Sequence, residues 1–407
     1  MKKEVPVEQL QFGVYVSELD RPWTDTPFVF QGFVLENEEQ LATLKKYCKK
    51  VYVDPEKATD LPDRSRLKTA SPRAKHESVL ASITRKVVYE EKVSVDVELP
   101  VARAAQNKTE AVLKDVFETV RVGKVIDAPR VREAVTSMTD SVVRNPDAML
   151  LLSKLKEKGE LTLDRALGVS IYMITFGRFL QLPREQLDLL GMLGLLLDVG
   201  KVRLPAGLLE KTEALTEEER KACQLHVRHS IDILKETAGL PAELPGLAAL
   251  HHERYDGSGY PEGLRGPDIG LFGSIAGLID CFDALTRPRP YAEPLSPSNA
   301  LSKLYDWRDT QFDGSLVQQL IQCIGIYPVG AAVELNTGEI GIVIAQNLVR
   351  RLQPRVMVVL DAKGNQIRPQ KILDLVKDPM AGPDIPYRIK RTLEKGSVAL
   401  DAAEFFL

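Results

Sequence analysis

The stretch that decides the fold runs from Leu195 to Tyr291, and at its centre 251–261 reads His-His-Glu-Arg-Tyr-Asp-Gly-Ser-Gly-Tyr-Pro. Leu-Asp-Val-Gly-Lys precedes it at 197–201, and Asp-Cys-Phe-Asp-Ala-Leu follows at 280–285. Four of the chain's five histidines lie within 226–252. Imidazole is the commonest metal ligand in proteins, and carboxylates suit the same divalent ions. The clustering predicts a metal site built from three histidines and two carboxylates, namely His226, His251, His252, Asp198 and Asp280.

The alternative is that each histidine is an ordinary surface residue or a hydrogen-bonded core residue, which is the commoner case for any one of them taken alone. Clustering beside a glycine-rich loop favours the metal interpretation. Adjacent side chains on a helix diverge by about 100°, so His251 and His252 can bind one ion only where a helix ends. The glycines of 257–259 supply such an exit. His229, one turn beyond His226, is interpreted as a supporting or surface residue.

The same residues resemble the HD-GYP family, the branch of the HD phosphohydrolases that hydrolyses the bacterial second messenger cyclic di-GMP. The likeness rests on 251–261, on Glu-Gly-Leu-Arg-Gly at 262–266, on 280–285 and on Arg-Pro-Tyr at 289–291, within roughly 155–325. It implies a mainly α fold, an HD-type helical bundle whose ligands project inward from different helices. It also implies that Asp198 bridges two metals, that the three histidines complete one metal site, and that Asp280 belongs to the other.

The resemblance further implies which residues meet the nucleotide and take part in catalysis. Lys201 offers an ammonium beside the metal for a phosphate oxygen, with Asp198 as its catalytic partner, although Lys201 could instead simply begin a loop. The ring of Tyr260 is available to a guanine base. Asp283 is expected to orient a metal-bound imidazole. The residues expected to bind the nucleotide are Lys201, Gly259, Tyr260, Pro261 and Arg289.

The chain departs from the family pattern at four positions, Arg165, Leu197, Ser274 and Ala292. Leu197 stands where the His-Asp doublet has its histidine, and Arg165 stands where another ligand histidine is expected. A guanidinium has no lone pair to donate and stays cationic, so Arg165 would repel an ion while satisfying Asp198 or Asp280. The resemblance therefore predicts one retained Fe, Mn or other divalent ion and the loss of the second metal site.

The main functional hypothesis is a degenerate HD-GYP domain that binds cyclic di-GMP, a related nucleotide or signalling proteins with little or no hydrolysis. Losing one of two metals would slow phosphoester hydrolysis on the order of a thousandfold or more. Two alternatives stay open. One is an active metal-dependent phosphodiesterase in which Glu160 or Asp164 supplies the missing ligands. The other is a pure protein-interaction module.

Composition narrows the class of protein. A formal charge of −3 without a long basic block gives no signature of DNA or of an anionic membrane as a partner. No uninterrupted run of about 18 apolar residues and no signal-peptide pattern occurs, so we expect a cytoplasmic protein. The four cysteines lack metal-site or disulfide spacing and are expected to be free thiols. The pattern leaves the oligomeric state open.

The 407 residues predict two or three domains. Residues 1–54 read as a small β-rich (α+β) domain, similar to the uncharacterised domain that often precedes HD-GYP domains. Residues 55–77 are almost devoid of apolar side chains and are predicted to be a linker. The remaining segments are a helical connector at 78–155, the HD-GYP-like helical domain at 156–326, a short antiparallel β appendage at 327–378 and a tail at 379–407.

Overall fold

The fold is taken from a computed structural model that describes residues 3–20, 33–35, 38–53, 78–155, 161–205, 207–209, 211–288, 293–347 and 350–393. The chain divides into two compact units, residues 1–75 with 350–352 and residues 76–349 with 353–407. Several predicted features lie outside the described residues, namely the linker at 55–77, Glu160, Arg289, Tyr291 and Ala292.

The first unit contains a small antiparallel sheet and one helix. Its elements are β1 (Lys3–Pro6), β2 (Tyr15–Leu19), β3 (Phe33–Val34), α1 (Glu38–Tyr47) and β4 (Lys50–Val53), and the strand order is β1-β4-β2-β3. Burial alternates along β4, as expected of a strand with one face on a core. Val51 and Val53 of β4 share that core with Val16 of β2 and Leu44 of α1. The predicted β-rich N-terminal domain is confirmed.

The second unit is mainly helical, as predicted. Its helices are α2 (Val95–Arg121), α3 (Ala128–Arg144), α4 (Pro146–Leu155), α5 (Leu161–Phe179), α6 (Arg184–Leu196), α7 (Glu217–Glu236), α8 (Leu244–Ala248), α9 (Gly270–Thr286), α10 (Pro297–Asp306) and α11 (Gly314–Ile324). Residues 166–178 of α5 and 189–200, which include the end of α6, are buried throughout. A helix that is apolar on all sides belongs in a core, so α5 and α6 form the centre of the bundle.

Helix α9 has a strongly apolar sequence. By length and composition alone, Gly266–Thr286 could cross a membrane, and it is the only such segment among the residues that the structure describes. However, 67% of its most apolar window is buried inside the protein. It also carries two buried carboxylates, Asp280 and Asp283. These properties are those of a core helix.

The start of α7 follows its sequence signal. The Thr216 hydroxyl accepts a hydrogen bond from the Glu219 backbone N–H (3.2 Å), and the Glu219 carboxylate accepts one from the Thr216 N–H (2.8 Å). This reciprocal pair is a capping box, and it satisfies two backbone donors that the first turn would otherwise leave free. The position of His226 along α7 is therefore set by local sequence.

A 3-10 turn at Val199–Arg203 follows α6 and lies against α7. The Gly200 N–H donates to the Ser230 hydroxyl (2.9 Å). A Cβ atom at Gly200 would lie 2.2 Å from the carbonyl oxygen of His226 and 2.4 Å from the backbone nitrogen of Ser230. Only glycine permits this approach, which brings the turn bearing Lys201 next to the helix bearing His226.

The C-terminal part of the second unit is an antiparallel sheet. Its strands are β5 (Ala332–Leu335), β6 (Ile340–Ala345), β7 (Arg355–Leu360), β8 (Gln366–Asp374), β9 (Met380–Gly382), β10 (Ile385–Pro386) and β11 (Ile389–Thr392). Five of them form one sheet in the order β11-β5-β6-β7-β8, and β9 pairs with β10. The sheet therefore extends beyond the predicted end of the appendage at 378 and takes in the first part of the predicted tail.

The strand missed by the sequence pattern, β11, is held by charge as well as by backbone pairing. Lys390 and Arg391 both contact the carboxylate of Glu334 on β5, each at 2.6 Å. A run of Ile-Lys-Arg-Thr lacks the apolar alternation expected of a strand, and its stability comes from the partner strand.

Asp147 connects α4 with the C-terminal sheet. Its side chain is buried, and its Oδ2 accepts a hydrogen bond from the Gln346 N–H (2.9 Å) just after β6. Burial raises the pKa of Asp147 to about 7, although the bond from Gln346 opposes that rise. The folded protein therefore favours a protonated carboxyl at a position where the unfolded chain is ionised at neutral pH.

Gly200→Ala is expected to lower the free energy of unfolding by about 1–3 kcal/mol, because the added carbon would collide with the backbone of α7. Gly246→Ala in α8 is the matched control, since nothing lies within 4 Å of the Cβ position there. The control is expected to be neutral or slightly stabilising. Denaturant unfolding of both variants measures the difference, and equal stabilities would contradict this account of the turn.

Asp147→Asn is expected to stabilise the protein above pH 7 by on the order of 2–4 kcal/mol, with little effect near pH 4. The carboxyl has its usual pKa of 3.8 in the unfolded chain and a pKa of about 7 in the folded protein, so the native state binds an extra proton between these values and wild-type stability falls as pH rises through that window. Unfolding curves from pH 4 to pH 8 test this. The exposed Asp306→Asn serves as control, and parallel curves for wild type and Asp147→Asn would refute it.

Candidate metal centre

Three histidines converge in the bundle. Among the described residues, His226, His251 and His252 form the one group of potential ligands whose ligand atoms all lie within 4.8 Å of one another. The Nε2 atom of His226 lies 3.3 Å from that of His251 and 3.2 Å from that of His252. His226 comes from α7, and the adjacent pair follows the end of α8, where the chain has left the helix as the spacing argument required.

Backbone contacts determine which ring nitrogens carry protons. His226 Nδ1 donates to the carbonyl oxygen of Cys223 (2.6 Å), and His251 Nδ1 donates to that of Ala248 (2.7 Å). A neutral imidazole with its proton on Nδ1 has a lone pair on Nε2. The two Nε2 atoms therefore face each other as acceptors, and neither can donate a hydrogen bond to the other. A cation between them would relieve this repulsion.

Asp198 supplies an oxygen to the same point. Its Oδ1 lies 3.2 Å from Nε2 of His226 and 3.6 Å from Nε2 of His251. This oxygen is buried and has no hydrogen-bond partner among the residues that the structure describes. Leaving a buried acceptor unpaired costs free energy, so an unpaired oxygen aimed at two nitrogen lone pairs fits a divalent cation.

Electrostatics keep these groups in their ligand forms. Burial opposes ionisation of Asp198, but the nearby cations of Lys201 and Arg165 hold the pKa of Asp198 well below its usual value. Burial and the two neighbouring imidazoles hold the pKa of His252 well below its usual value, which leaves that ring neutral. Ionised carboxylate and neutral imidazole are the states that bind metals.

Lys201 lies beside this cluster, as expected. Its ammonium forms an ion pair with Oδ2 of Asp198, the oxygen that does not face the histidines, and its side chain is 15% exposed. His229 is half-buried and is not a member of the histidine group. Leu197 is buried and apolar, with 1% of its surface exposed.

Asp280 is paired with an arginine and is not a member of the histidine group. Arg165 Nη2 donates to Oδ1 of Asp280 (2.6 Å), and Arg165 Nε lies 3.6 Å from Oδ2 of Asp198. Burial would raise the pKa of Asp280, but Arg165 outweighs it and the pKa is lowered. We expected Arg165 to satisfy one of the two carboxylates, and it contacts both.

The expectation for Asp283 is wrong. This buried carboxylate does not support an imidazole, because Arg287 Nε donates to both of its oxygens at 2.8 and 2.7 Å. Arg287 lies one helical turn further on and reaches back to it. The signal in the sequence was the i, i+4 spacing of Asp283 and Arg287, whereas the expectation for Asp283 came from the resemblance.

The loop that follows the histidines is anchored by a residue that the sequence reasoning missed. Glu253 is buried, and its two oxygens accept hydrogen bonds from the N–H groups of Glu262 (2.8 Å) and Leu264 (2.9 Å). A carboxylate beside a glycine-rich turn was the available signal, because exposed backbone donors in such a turn require acceptors. Glu253 therefore joins the start of the loop to its end.

The residues predicted to bind nucleotide have different environments in this loop. Gly259 packs against backbone, since a Cβ there would lie 2.4 Å from the nitrogen of Arg254, whereas Pro261 is exposed. The Tyr260 ring stacks on His252, with centroids 4.6 Å apart and planes at 24°. Burial, reinforced by Asp198, raises the pKa of Tyr260, so its phenol stays protonated at neutral pH. Ser274, one of the four departures from the family pattern, is half-buried.

Comparison with known proteins identifies the parts of this chain. Residues 2–131 match the domain of unknown function DUF3391, residues 148–316 match the HD domain, and residues 332–381 match the KOW domain associated with HD domain. Among solved structures, the chain is similar to Bd1817, a HDG"Y"P protein from Bdellovibrio bacteriovorus. The TM-score is 0.47 at 16% identity, covering 79% of this chain and 98% of that one.

Two curated relatives are similar to this chain, one over about a third of its length and one over most of it. The cyclic di-GMP phosphodiesterase response regulator RpfG of Xanthomonas campestris is 39% identical over 144 residues, 35% of this chain and 38% of that protein. The cyclic di-GMP phosphodiesterase PA4108 of Pseudomonas aeruginosa is 32% identical over 377 residues, 92% of this chain and 89% of that protein. With its histidine cluster, its HD domain and this near full-length similarity, the chain belongs to the HD-GYP-type family of cyclic di-GMP phosphodiesterases.

Proposed function

We propose that this chain binds cyclic di-GMP or a related cyclic dinucleotide at a centre that holds one divalent metal ion, and that it hydrolyses the nucleotide slowly or not at all. The observation that carries this proposal is the guanidinium of Arg165, which lies between two carboxylates expected to bind metal, Asp198 and Asp280.

The retained ion would be held by Nε2 of His226, His251 and His252 and by Oδ1 of Asp198. The convergence of those four atoms, with an unpaired buried oxygen among them, supports this assignment. When bound, paired divalent ions stabilise charge on the attacking and leaving oxygens of a phosphodiester. Lys201, beside Asp198, would offer its ammonium to a phosphate oxygen of the nucleotide.

Arg165 makes a second ion unfavourable because it cannot donate a lone pair and cannot lose its charge under ordinary conditions. Its pairing with Asp280 also removes that carboxylate from the set available to a metal. Leu197, the other departure, offers no donor atom. The two positions together leave the second site with neither of its expected imidazoles.

The balance of buried charge points the same way. Three carboxylates face three cationic side chains in this region, Asp198, Asp280 and Asp283 against Lys201, Arg165 and Arg287. One divalent ion and the two phosphodiester charges of a cyclic dinucleotide would keep the region neutral. A second ion would add two uncompensated charges in a buried site, which is costly.

The consequence for turnover follows from the chemistry of the family. Without the second ion, several kcal/mol of transition-state stabilisation is lost, equivalent to a rate lower by on the order of a thousandfold. Binding depends on the histidine cluster, Lys201 and the loop, which are retained. The proposal therefore separates nucleotide binding from hydrolysis.

A one-metal phosphodiesterase with substantial activity is the second candidate. It is favoured by the ionised Asp198 and the adjacent ammonium of Lys201, which keep one half of the site intact. Asp164, which could have supplied a missing metal ligand, is not part of the histidine group. Turnover of cyclic di-GMP to the linear dinucleotide or GMP, measured together with metal content, separates the two candidates. Substantial turnover with one ion per chain would support the second.

His226→Ala is expected to abolish binding of Mn²⁺ or Fe²⁺, because it removes the central imidazole of the cluster. His229→Ala, one turn further along α7, is the matched control and should bind the ion as wild type does. In the wild type, a metal concentration of 100 times Kd should raise the free energy of unfolding by about 2.7 kcal/mol. Elemental analysis and thermal unfolding check both variants. Equal metal content in the two would contradict the assignment.

Arg165→His combined with Leu197→His is expected to raise the metal content from one to two ions per chain. It should also raise the rate of cyclic di-GMP hydrolysis by on the order of a hundredfold or more, because both absent imidazoles are restored. Arg184→His, at another half-buried arginine paired with two aspartates, is the control. The proposal fails if wild-type protein reconstituted with Fe²⁺ or Mn²⁺ already contains two ions and turns over rapidly.

A further inference from the structure

The three imidazoles of the cluster are oriented in different ways. His226 and His251 each use Nδ1 to donate to a backbone carbonyl, which fixes both the tautomer and the ring angle. No described residue forms a hydrogen bond with Nδ1 of His252. That ring is also less protected, being half-buried while the other two are buried. The third imidazole therefore needs another means of orientation.

The only ring outside the cluster that contacts His252 among the described residues is that of Tyr260. The two rings are stacked, with centroids 4.6 Å apart and planes at 24°. The other contacts of His252 are edge or tilted contacts with the two histidines themselves. The phenol oxygen of Tyr260 forms no hydrogen bond with a described residue, so its ring face is what it contributes to the site.

Hydrogen bonds within the loop hold Tyr260 over the ring of His252. The Tyr260 N–H donates to the carbonyl oxygen of His252 (3.2 Å), which ties the tyrosine to the histidine it covers. Glu253 holds the loop beyond it through the N–H groups of Glu262 and Leu264. Arg254 places its guanidinium over the ring of Phe312 at 5.2 Å, which anchors the start of the loop. Backbone and side-chain contacts thus hold the stack from both ends.

We propose that Tyr260 is a positioning residue for His252, and that its ring takes the place of the orienting hydrogen bond that the other two histidines possess. This role differs from the guanine-stacking role expected from the sequence. It rests on the proposed metal centre but not on the proposed nucleotide. Loss of an orienting partner of a metal ligand typically weakens metal affinity 10–100-fold, and a ring face can supply that orientation as a hydrogen bond does.

The first test observes the stack directly, in the full-length protein without metal. The chain has five histidines, so the ring signals of His252 can be assigned by NMR through single substitutions. A stacked tyrosine shifts the imidazole protons upfield through its ring current. Tyr260→Phe should preserve the shift, and Tyr260→Leu should abolish it while leaving the signals of His226 in place. An unchanged His252 spectrum in Tyr260→Leu overturns the proposal, whether or not the protein binds metal.

The second test measures metal affinity by titration with Co²⁺, whose visible absorption reports the ligand set. Tyr260→Leu should weaken affinity about tenfold or more, whereas Tyr260→Phe should stay within about twofold of wild type. Tyr305→Leu is the control, because it removes a tyrosine that contacts Arg308 and not the histidines. Wild-type affinity in Tyr260→Leu, or an equal loss in Tyr260→Phe, overturns the proposal.

The two tests separate failure of this inference from failure of the proposed function. If Co²⁺ does not bind the wild type, the metal centre itself is refuted, and the NMR result still decides whether Tyr260 orients His252. If Co²⁺ binds but cyclic di-GMP does not, the nucleotide assignment fails and the role of Tyr260 stands. Metal-free thermal unfolding of Tyr260→Leu close to that of wild type excludes global misfolding as the cause of weaker binding.

Discussion

The rest of the site depends on one buried, ionised carboxylate, Asp198. Burying an isolated charge inside a protein costs much free energy, so the surrounding residues must provide opposite charges or hydrogen bonds. The two oxygens of Asp198 have different surroundings. Oδ2 faces the cations of Lys201 and Arg165, whereas Oδ1 faces the Nε2 lone pairs of His226 and His251. The first side is balanced by the protein alone. The second side has no hydrogen-bond donor among the described residues, and the proposal of a single metal ion rests on this asymmetry.

In the proposed function Arg165 takes the place of a second metal ion, and this would change more than the charge of the site. A guanidinium belongs to the chain, so it neutralises Asp280 whenever the protein is folded and needs no free metal to do so. The second pair, Asp283 with Arg287, is equally permanent. The bundle around α5 and α9 is thereby stabilised without cofactor. A guanidinium has no vacant coordination site, so it cannot bind and activate an attacking water as a metal ion would, and the proposed slow hydrolysis follows from this difference.

Much of the fold followed from local sequence, and the exceptions have identifiable causes. The continuous apolar sequence of α5 and α6 and the capping box before α7 are properties of neighbouring residues, and the resemblance predicted the bundle that these helices form. Strand β11 was missed because its polar run is stabilised by Glu334, more than fifty residues earlier in the chain. The roles of Asp283 and Glu253 were not predicted, because a resemblance identifies only which residue types stand at which positions. Their hydrogen-bond partners depend on the conformation of α9 and of the loop at 253–264.

The chemistry of Tyr260 suits one role, whereas its position in the loop favours the other role that we propose for it. An aromatic ring in a glycine-rich loop suits a nucleobase, but any flat neighbour can occupy its face. The hydrogen bond from the Tyr260 N–H to the His252 carbonyl oxygen brings the ring over that imidazole, and the proposed positioning role rests on this stack. The spacing between the histidine pair and the tyrosine then has a structural reason. The loop leaves the helix end, turns at Gly257, where φ is +80°, and returns to the second histidine.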